Sequence, residues 1–185
     1  MSMEESDPYN HSVFGYRNKF ARTVWWFCYI VFFRYSPKPM FGWRRFILRI
    51  FGAKLSHGVN IYPNVILWAP WNLECGPLAT VANGAEIYNP EMVRLGSHAI
   101  ISQDAYLCGA THDHNDPRFT FVAKPIVIGA YAWVCARAVV MPGITIHDGA
   151  ILGLGSVATR NLDAWSIYAG LPARFIKKRI KGTDA

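Results

Sequence analysis

Residues 75–111 read CGPLAT VANGAE IYNPEMVR LGSHAI ISQDAY LCGAT, and after a break residues 128–161 continue as IGAYAW VCARAV VMPGIT IHDGAI LGLGSV ATRN. Every block opens on a hydrophobic residue: Cys75, Val81, Ile87, Leu95, Ile101, Leu107, then Ile128, Val134, Val140, Ile146, Leu152 and Ala158. Ten of these twelve are Val, Ile or Leu, a six-residue recurrence that fits neither the helical period nor the two-residue period of a strand. A second column, four positions further on, is mostly small: Ala79, Ala85, Ala99, Ala105, Thr111, Ala132, Ala138, Ala150 and Ser156, with Glu91 and Ile144 as exceptions.

Such a period predicts a solenoid in which each hexad forms one side of a triangular prism. One branched aliphatic per side points to the axis, and a small residue near the corner lets the chain turn. No single coil buries enough surface alone, so the coils must stack. A β-sandwich of short strands would instead show two-residue alternation with irregular turns. Going upstream, Leu55, Ile61 and Leu67 extend the inward column and Val59 and Val65 the corner column. Residues 68–72 then interrupt the count, as a bulged corner or with Trp68 as a ring for a sugar to stack on, and two extra residues enter before Leu95.

Five further stretches sharpen this: YLCGATHDHNDPRFTFVAKPIVIG from Tyr106, PGITIHDGAILGLGSVATRNL from Pro142, AGLPARFIKK from Ala169, and FILRIFGAKL and PWNLECG upstream. Together with the hexads they resemble the hexapeptide-repeat acyltransferases. Within these the chain is most similar to the colanic acid O-acetyltransferase branch and more distantly to galactoside and maltose acetyltransferases. The resemblance implies a mainly β fold: a left-handed parallel β-helix over residues 55–168 with an excursion at 108–127. An N-terminal tail and helical cap would occupy 1–54, and a turn and short basic C-terminal helix 169–185. It also implies a homotrimer with active sites at the subunit boundaries.

At 185 residues and a net charge of +7 the chain has room for one substantial domain. Four cysteines show no C-x-x-C spacing; Cys75 falls in the inward column, Cys28 in an apolar run, Cys108 and Cys135 at hexad second positions, and free thiols in a reducing compartment are expected. Glu4, Glu5 and Asp7 stand where a signal peptide would be positive, which points to the cytosol. From Arg17 to Lys54 there are nine basic residues and no acidic one, interleaved with aromatics. The apolar run 24–33 is too short to span a bilayer, which takes about 20 residues. It suits either a cap on the first coil or an interfacial helix at the inner face of the membrane, and a helix has faces for both. After Pro37 and Pro39, Trp43, Phe46, Ile47, Ile50 and Phe51 predict an amphipathic helix with Arg44, Arg45 and Arg49 on its solvated side.

Function concentrates in the polar excursion Thr111-His112-Asp113-His114-Asn115-Asp116-Pro117-Arg118. For acetyl transfer from acetyl-CoA, a neutral imidazole with a pKa of about 6.5 suits the base that takes the proton of an attacking sugar hydroxyl. By the resemblance that base is His112, oriented by Asp113, Asn115 or a backbone carbonyl. The resemblance also carries Trp133, Ala136, Leu154, Thr159, Arg160, Arg174 and Lys177 as acetyl-CoA contacts, with Trp133 equally suited to a subunit interface. Asn83, Asn89 and Glu91 become acceptor-binding candidates, although turn chemistry also explains the asparagines. Two rival readings use other features. His98, His112, His114 and His147 invite comparison with metal-dependent hydratases on this scaffold, although the histidine spacing does not match and no metal is expected. The basic aromatic N-terminus would alone suit a non-catalytic, membrane- or partner-binding solenoid. Nucleic acid is disfavoured, because the positive charge is divided between the two ends of the chain.

Overall fold

The computed structural model describes residues 13–180, so Glu4, Glu5, Asp7 and Lys181 lie outside the described residues. Helix α1 (Tyr16–Cys28) runs into a wider π-helical turn at Tyr29–Phe33, and α2 (Phe41–Ile50) follows. The chain then winds into a left-handed β-helix of about six turns. Sheet A stacks β1 (Lys54–Leu55), β4 (Leu73–Cys75), β7 (Val93–Leu95), β12 (Ile126–Ile128) and β15 (Thr145–Ile146). Sheet B stacks β2 (Asn60–Ile61), β5 (Thr80–Val81), β8 (Ile100–Ile101), β13 (Trp133–Val134), β16 (Ile151–Leu152) and β18 (Ser166–Gly170), edged by β19 (Ala173–Lys178). Sheet C stacks β3 (Ile66–Leu67), β6 (Glu86–Tyr88), β9 (Tyr106–Cys108), β14 (Val139–Val140) and β17 (Val157–Ala158). A hairpin of β10 (Ala110–His112) and β11 (Phe121–Ala123) leaves the prism where sheet C gives way to sheet A.

The register explains the hexads. Leu55, Cys75, Leu95, Ile128 and Ile146 lie one above another in sheet A, and Ile61, Val81, Ile101, Val134 and Leu152 in sheet B. Each is at most 9% exposed, so the inward column is the core. Burial pushes the Cys75 thiol up to about 12, which makes it a small hydrophobe here. All four cysteines are free. Of the small column, Thr111 departs: it is exposed on β10, because the chain has already left the coil.

Residues 68–72 do form a bulged corner, a 3₁₀ turn at Pro70–Asn72. Trp68 turns out to be packed, its ring tilted against Phe14 and edge-on to Tyr88. Asn89 stitches this corner to the irregular corner above it. Its amide donates to the carbonyls of Ala69 (2.8 Å) and Asn72 (3.0 Å), and its Oδ1 accepts the Ala69 N–H (3.0 Å). Fully buried, Asn89 holds the turn and has no face left for an acceptor, which corrects the expectation from sequence.

Two more expectations are corrected. Residues 173–178 form no helix: β19 folds back antiparallel on β18 after Gly170, whose φ of +105° makes the reversal, and so covers the last open edge of sheet B. Lys178 then bonds the Ser166 hydroxyl, and Arg179 the carbonyls of Tyr131 and Gly149. In α2 the predicted division of faces holds only in part: Ile47 and Phe51 do pack on the core, but the rest of the apolar face does not. Arg44 is fully buried, while Trp43, Phe46 and Ile50 face solvent.

The reason lies in the direction of the ladder. Along the three sheets each coil donates N–H groups to the carbonyls of the next coil, as in Asn60 to Ala79 and Tyr62 to Val81, so the sheet carbonyls of the first coil have no coil beneath them. Side chains of the cap supply the donors. Arg44 Nε bonds the Ile61 carbonyl (2.6 Å), Arg45 that of Val59 (2.8 Å), Arg49 that of Leu55 (2.7 Å), and the Trp25 indole that of Leu67 (2.7 Å). Arg44 also ties the inter-helix link through the Ser36 hydroxyl and the carbonyls of Pro37 and Lys38. Replacing Arg44 with Met keeps the stem but removes these donors. The expected loss is about 3 kcal/mol of stability, read as a lower urea midpoint with an unchanged slope.

Candidate active site

The hairpin leaves the coil at Gly109, where a Cβ would sit 2.5 Å from the Tyr88 carbonyl oxygen. Gly109 N–H bonds that same carbonyl (2.7 Å), and Lys124 N–H bonds the Gly109 carbonyl (2.9 Å), closing the base of the hairpin on the prism. At the tip the Asp116 carboxylate collects four donors: the Thr120 hydroxyl (2.6 Å), the Arg118 N–H (2.9 Å) and the Arg118 guanidinium through Nε (3.3 Å) and Nη2 (3.4 Å). The Thr120 hydroxyl and then the Arg118 donors hold its carboxyl down at about 2. Phe119 follows in the left-handed region, φ +49°, with its N–H on the Asp116 carbonyl (2.7 Å).

That conformation aims the Phe119 carbonyl at His112 Nδ1, 2.8 Å away. A carbonyl only accepts, so Nδ1 must carry the proton and Nε2 is left as the basic nitrogen. The imidazole is further fixed by stacking on the Phe119 ring (centroids 4.4 Å apart, 8° between planes) and by the edge of Phe121 (5.5 Å). Of the orienting groups considered from sequence, the backbone carbonyl is the one in place. Asp113 instead accepts the Asn115 N–H, and its own N–H bonds the Thr120 carbonyl. His112 is therefore held by a cross-strand pair, opposite Phe121, and not by the coil itself. Phe119 and Phe121 escaped the sequence reading; an aromatic at every second residue after Pro117-Arg118 was the available signal.

From His112 an aromatic chain leads back to the cap. Phe121 packs on Phe14 (5.4 Å), Phe14 on Trp68 (5.0 Å), and the Arg22 guanidinium lies 4.4 Å over the Trp68 ring. Burial pushes the neighbouring Tyr88 phenol up.

The remaining candidates fall on different corners of the prism. Asn83, Ala136 and Leu154 occupy turns between sheets B and C; Ala136 accepts the Gly155 N–H (3.0 Å), and Asn83 Oδ1 accepts the Asn64 N–H (3.3 Å). Glu91, Thr159 and Arg160 are exposed at the corner between sheets C and A, the one that carries the His112 hairpin. Trp133 lies on sheet B with its indole N–H on the Ser102 hydroxyl (2.8 Å). Arg174 and Lys177 are exposed on β19. One chain thus gathers His112 with Glu91, Thr159 and Arg160, and leaves Asn83, Ala136 and Leu154 a prism face away. Among the described residues no three His, Cys, Asp or Glu side chains come together as a metal-ligand set. His98 stacks on Tyr131 instead (4.7 Å).

The chain is 38% identical over 169 residues to the protein named as colanic acid biosynthesis acetyltransferase WcaF of Escherichia coli, covering 90% of this chain and 93% of that protein. It belongs to the WcaF family of hexapeptide-repeat acetyltransferases. No protein-family model matches it. Galactoside O-acetyltransferase of E. coli is a more remote relative of this family member, 28% identical over 126 residues that cover 66% of the chain and 56% of the relative. Among solved structures, a maltose O-acetyltransferase from Clostridium difficile 630 superposes with a TM-score of 0.81 at 22% identity, covering 90% of each chain. A galactoside acetyltransferase in complex with coenzyme A superposes with a TM-score of 0.82 at 20% identity, covering 90% of this chain and 84% of that one. These two share the solenoid fold.

The Asp116 cluster gives the hairpin a defined acid limit. Its carboxyl is depressed, so the stability it adds is complete above its ordinary value of 3.8 and is lost as the pH falls toward about 2. An NMR titration of Asp116 should have its midpoint near 2, with the Arg118 amide losing protection from exchange in the same range. A midpoint near 3.8 would show that the cluster does not form in solution.

Proposed function

We propose that this acetyltransferase moves the acetyl group of acetyl-CoA onto a hydroxyl of a sugar or lipid-linked oligosaccharide, with His112 as general base. The observation that carries the reading is the fixed tautomer: Nδ1–H donates to the Phe119 carbonyl and Nε2 stands ready to accept. In the reaction Nε2 takes the proton of the acceptor hydroxyl as its oxygen attacks the thioester carbonyl. The tetrahedral oxyanion collapses, the carbon–sulfur bond breaks, and the imidazolium returns its proton to the leaving thiolate. While the ring is charged, the Phe119 carbonyl on Nδ1–H stabilises it. No covalent enzyme intermediate is required.

The division of candidates between two corners supports a homotrimer. A donor arm lying along Ala136 and Leu154 of one subunit is a prism face away from its own His112 but would meet the His112 corner of a neighbour. Ile100 and Trp133, both more than 40% exposed on sheet B, supply apolar surface for such a contact. In that arrangement Thr159, Arg160, Arg174 and Lys177 take the phosphates of the nucleotide, for which guanidinium and ammonium groups are suited. Glu91, on the His112 corner, is the acceptor contact within one chain, and Asn83 reaches a site only across the boundary. The acceptor is met in the cytoplasm or at the inner face of the membrane.

His112→Ala should lower the rate of acetyl transfer about 10²–10⁴-fold, the usual contribution of a general base. Thiol release from acetyl-CoA in the presence of acceptor reads this, while coenzyme binding and the unfolding midpoint stay unchanged. A variant as active as the parent would remove His112 from the reaction.

A further inference from the structure

Helix α1 and the π-helical turn that continues it carry two apolar stripes on opposite sides. Trp25, Tyr29 and Phe33 are buried at 2% exposure or less against the core. Tyr16, Phe20, Val24, Phe27 and Val31 recur at i, i+4, i+8, i+11 and i+15 and are 91, 72, 41, 66 and 46% exposed. In α2 the arginines face the coil, so Trp43, Phe46 and Ile50 point outward. The Trp43 indole donates to the Phe32 carbonyl (2.9 Å) and its ring stacks on Phe46 (6.0 Å), which ties the outward rings of α2 to the backbone of the turn that continues α1. Eight large apolar side chains on this outer surface are more than scattered surface residues, and they need a covering phase.

Charge selects that phase. No acidic residue lies between Arg17 and Lys54. With Arg44, Arg45 and Arg49 bonded to the first coil, Arg17, Lys19, Arg34 and Lys38 remain exposed around the rings. Lys19 lies 5.8 Å over Tyr16 and Arg34 5.9 Å over Tyr35. A second copy of the same face would set these cations against each other without counter-charge. An anionic headgroup layer provides the counter-charge, and the hydrocarbon just below it accepts the rings. No described helix is long and apolar enough to cross a membrane, so the helices would lie in the interface.

We propose that the outer faces of α1 and α2 form a docking surface for an anionic phospholipid bilayer. The inference deepens the reading above, because a lipid-linked acceptor would then be presented to a docked enzyme, but it does not depend on His112 and its test needs no catalysis.

Flotation of the full chain with phosphatidylcholine vesicles, with and without phosphatidylglycerol, tests it. Binding should require the anionic lipid, weaken as salt is raised, and shift tryptophan emission to the blue. The variant Phe20→Ser/Phe27→Ser/Phe46→Ser should bind about tenfold or more weakly while keeping its unfolding midpoint and its rate on a soluble acceptor. Arg17→Gln/Arg34→Gln/Lys38→Gln, which leaves every ring in place, should lose the preference for anionic lipid. Absence of parent binding to anionic vesicles would overturn the proposal. So would a serine variant that binds vesicles as before but changes its oligomeric state, which would make the face a subunit contact.

Discussion

A parallel ladder has a direction, and the structure of this protein follows from what that direction leaves undone at its first coil. Along the sheets the N–H groups of each coil point to the next, so the carbonyls of Leu55, Val59, Ile61 and Leu67 point out of the N-terminal end. Three guanidiniums and an indole answer them. Arginine suits the task because its rigid fork supplies several donors at once, and burial among carbonyls removes the need for a carboxylate partner. A cap built this way has a consequence for its own outer surface. Once the arginines of α2 turn inward, the aromatics between them have only the outside left to occupy.

The same principle, a backbone carbonyl meeting a side-chain donor, operates in the hairpin of β10 and β11. His112 is exposed on a hairpin, a setting in which an imidazole would normally sample several orientations. Its order derives from Phe119, whose left-handed conformation presents the carbonyl to Nδ1 and the ring to the imidazole face. That conformation is unusual for a large side chain. It is held by the Asp116 turn beneath it, where one carboxylate gathers the Thr120 hydroxyl and three Arg118 donors. The orientation of the His112 ring thus rests on a carboxylate that does not touch it.

The prism itself serves as a spacer. Corners repeat every coil, so residues far apart in the chain, such as Ala136 and Leu154, share an edge, and residues close in the chain fall on different edges. Asn89 shows how a residue type can mislead on such a scaffold. An asparagine in a polar turn suggests a sugar contact, yet here it bridges two stacked irregular corners and is sealed inside them.

The hexad spacing alone determined the solenoid, its inward column and the place where the chain leaves it, because a stacked repeat makes burial a function of position modulo six. A resemblance carried by the motifs singled out His112 as the candidate base. Which way α2 faces was not legible, since the helical period marks two faces without saying which meets the core, and the deciding fact, the unpaired carbonyls of a first coil, exists only after the coils are stacked. The C-terminal strand escaped for a related reason: its basic sequence suits a helix in isolation, but the open edge of sheet B offers it a ladder. The tautomer of His112 depends on a carbonyl seven residues away, brought into contact by the turn at Asp116, and that distance is set by tertiary structure alone.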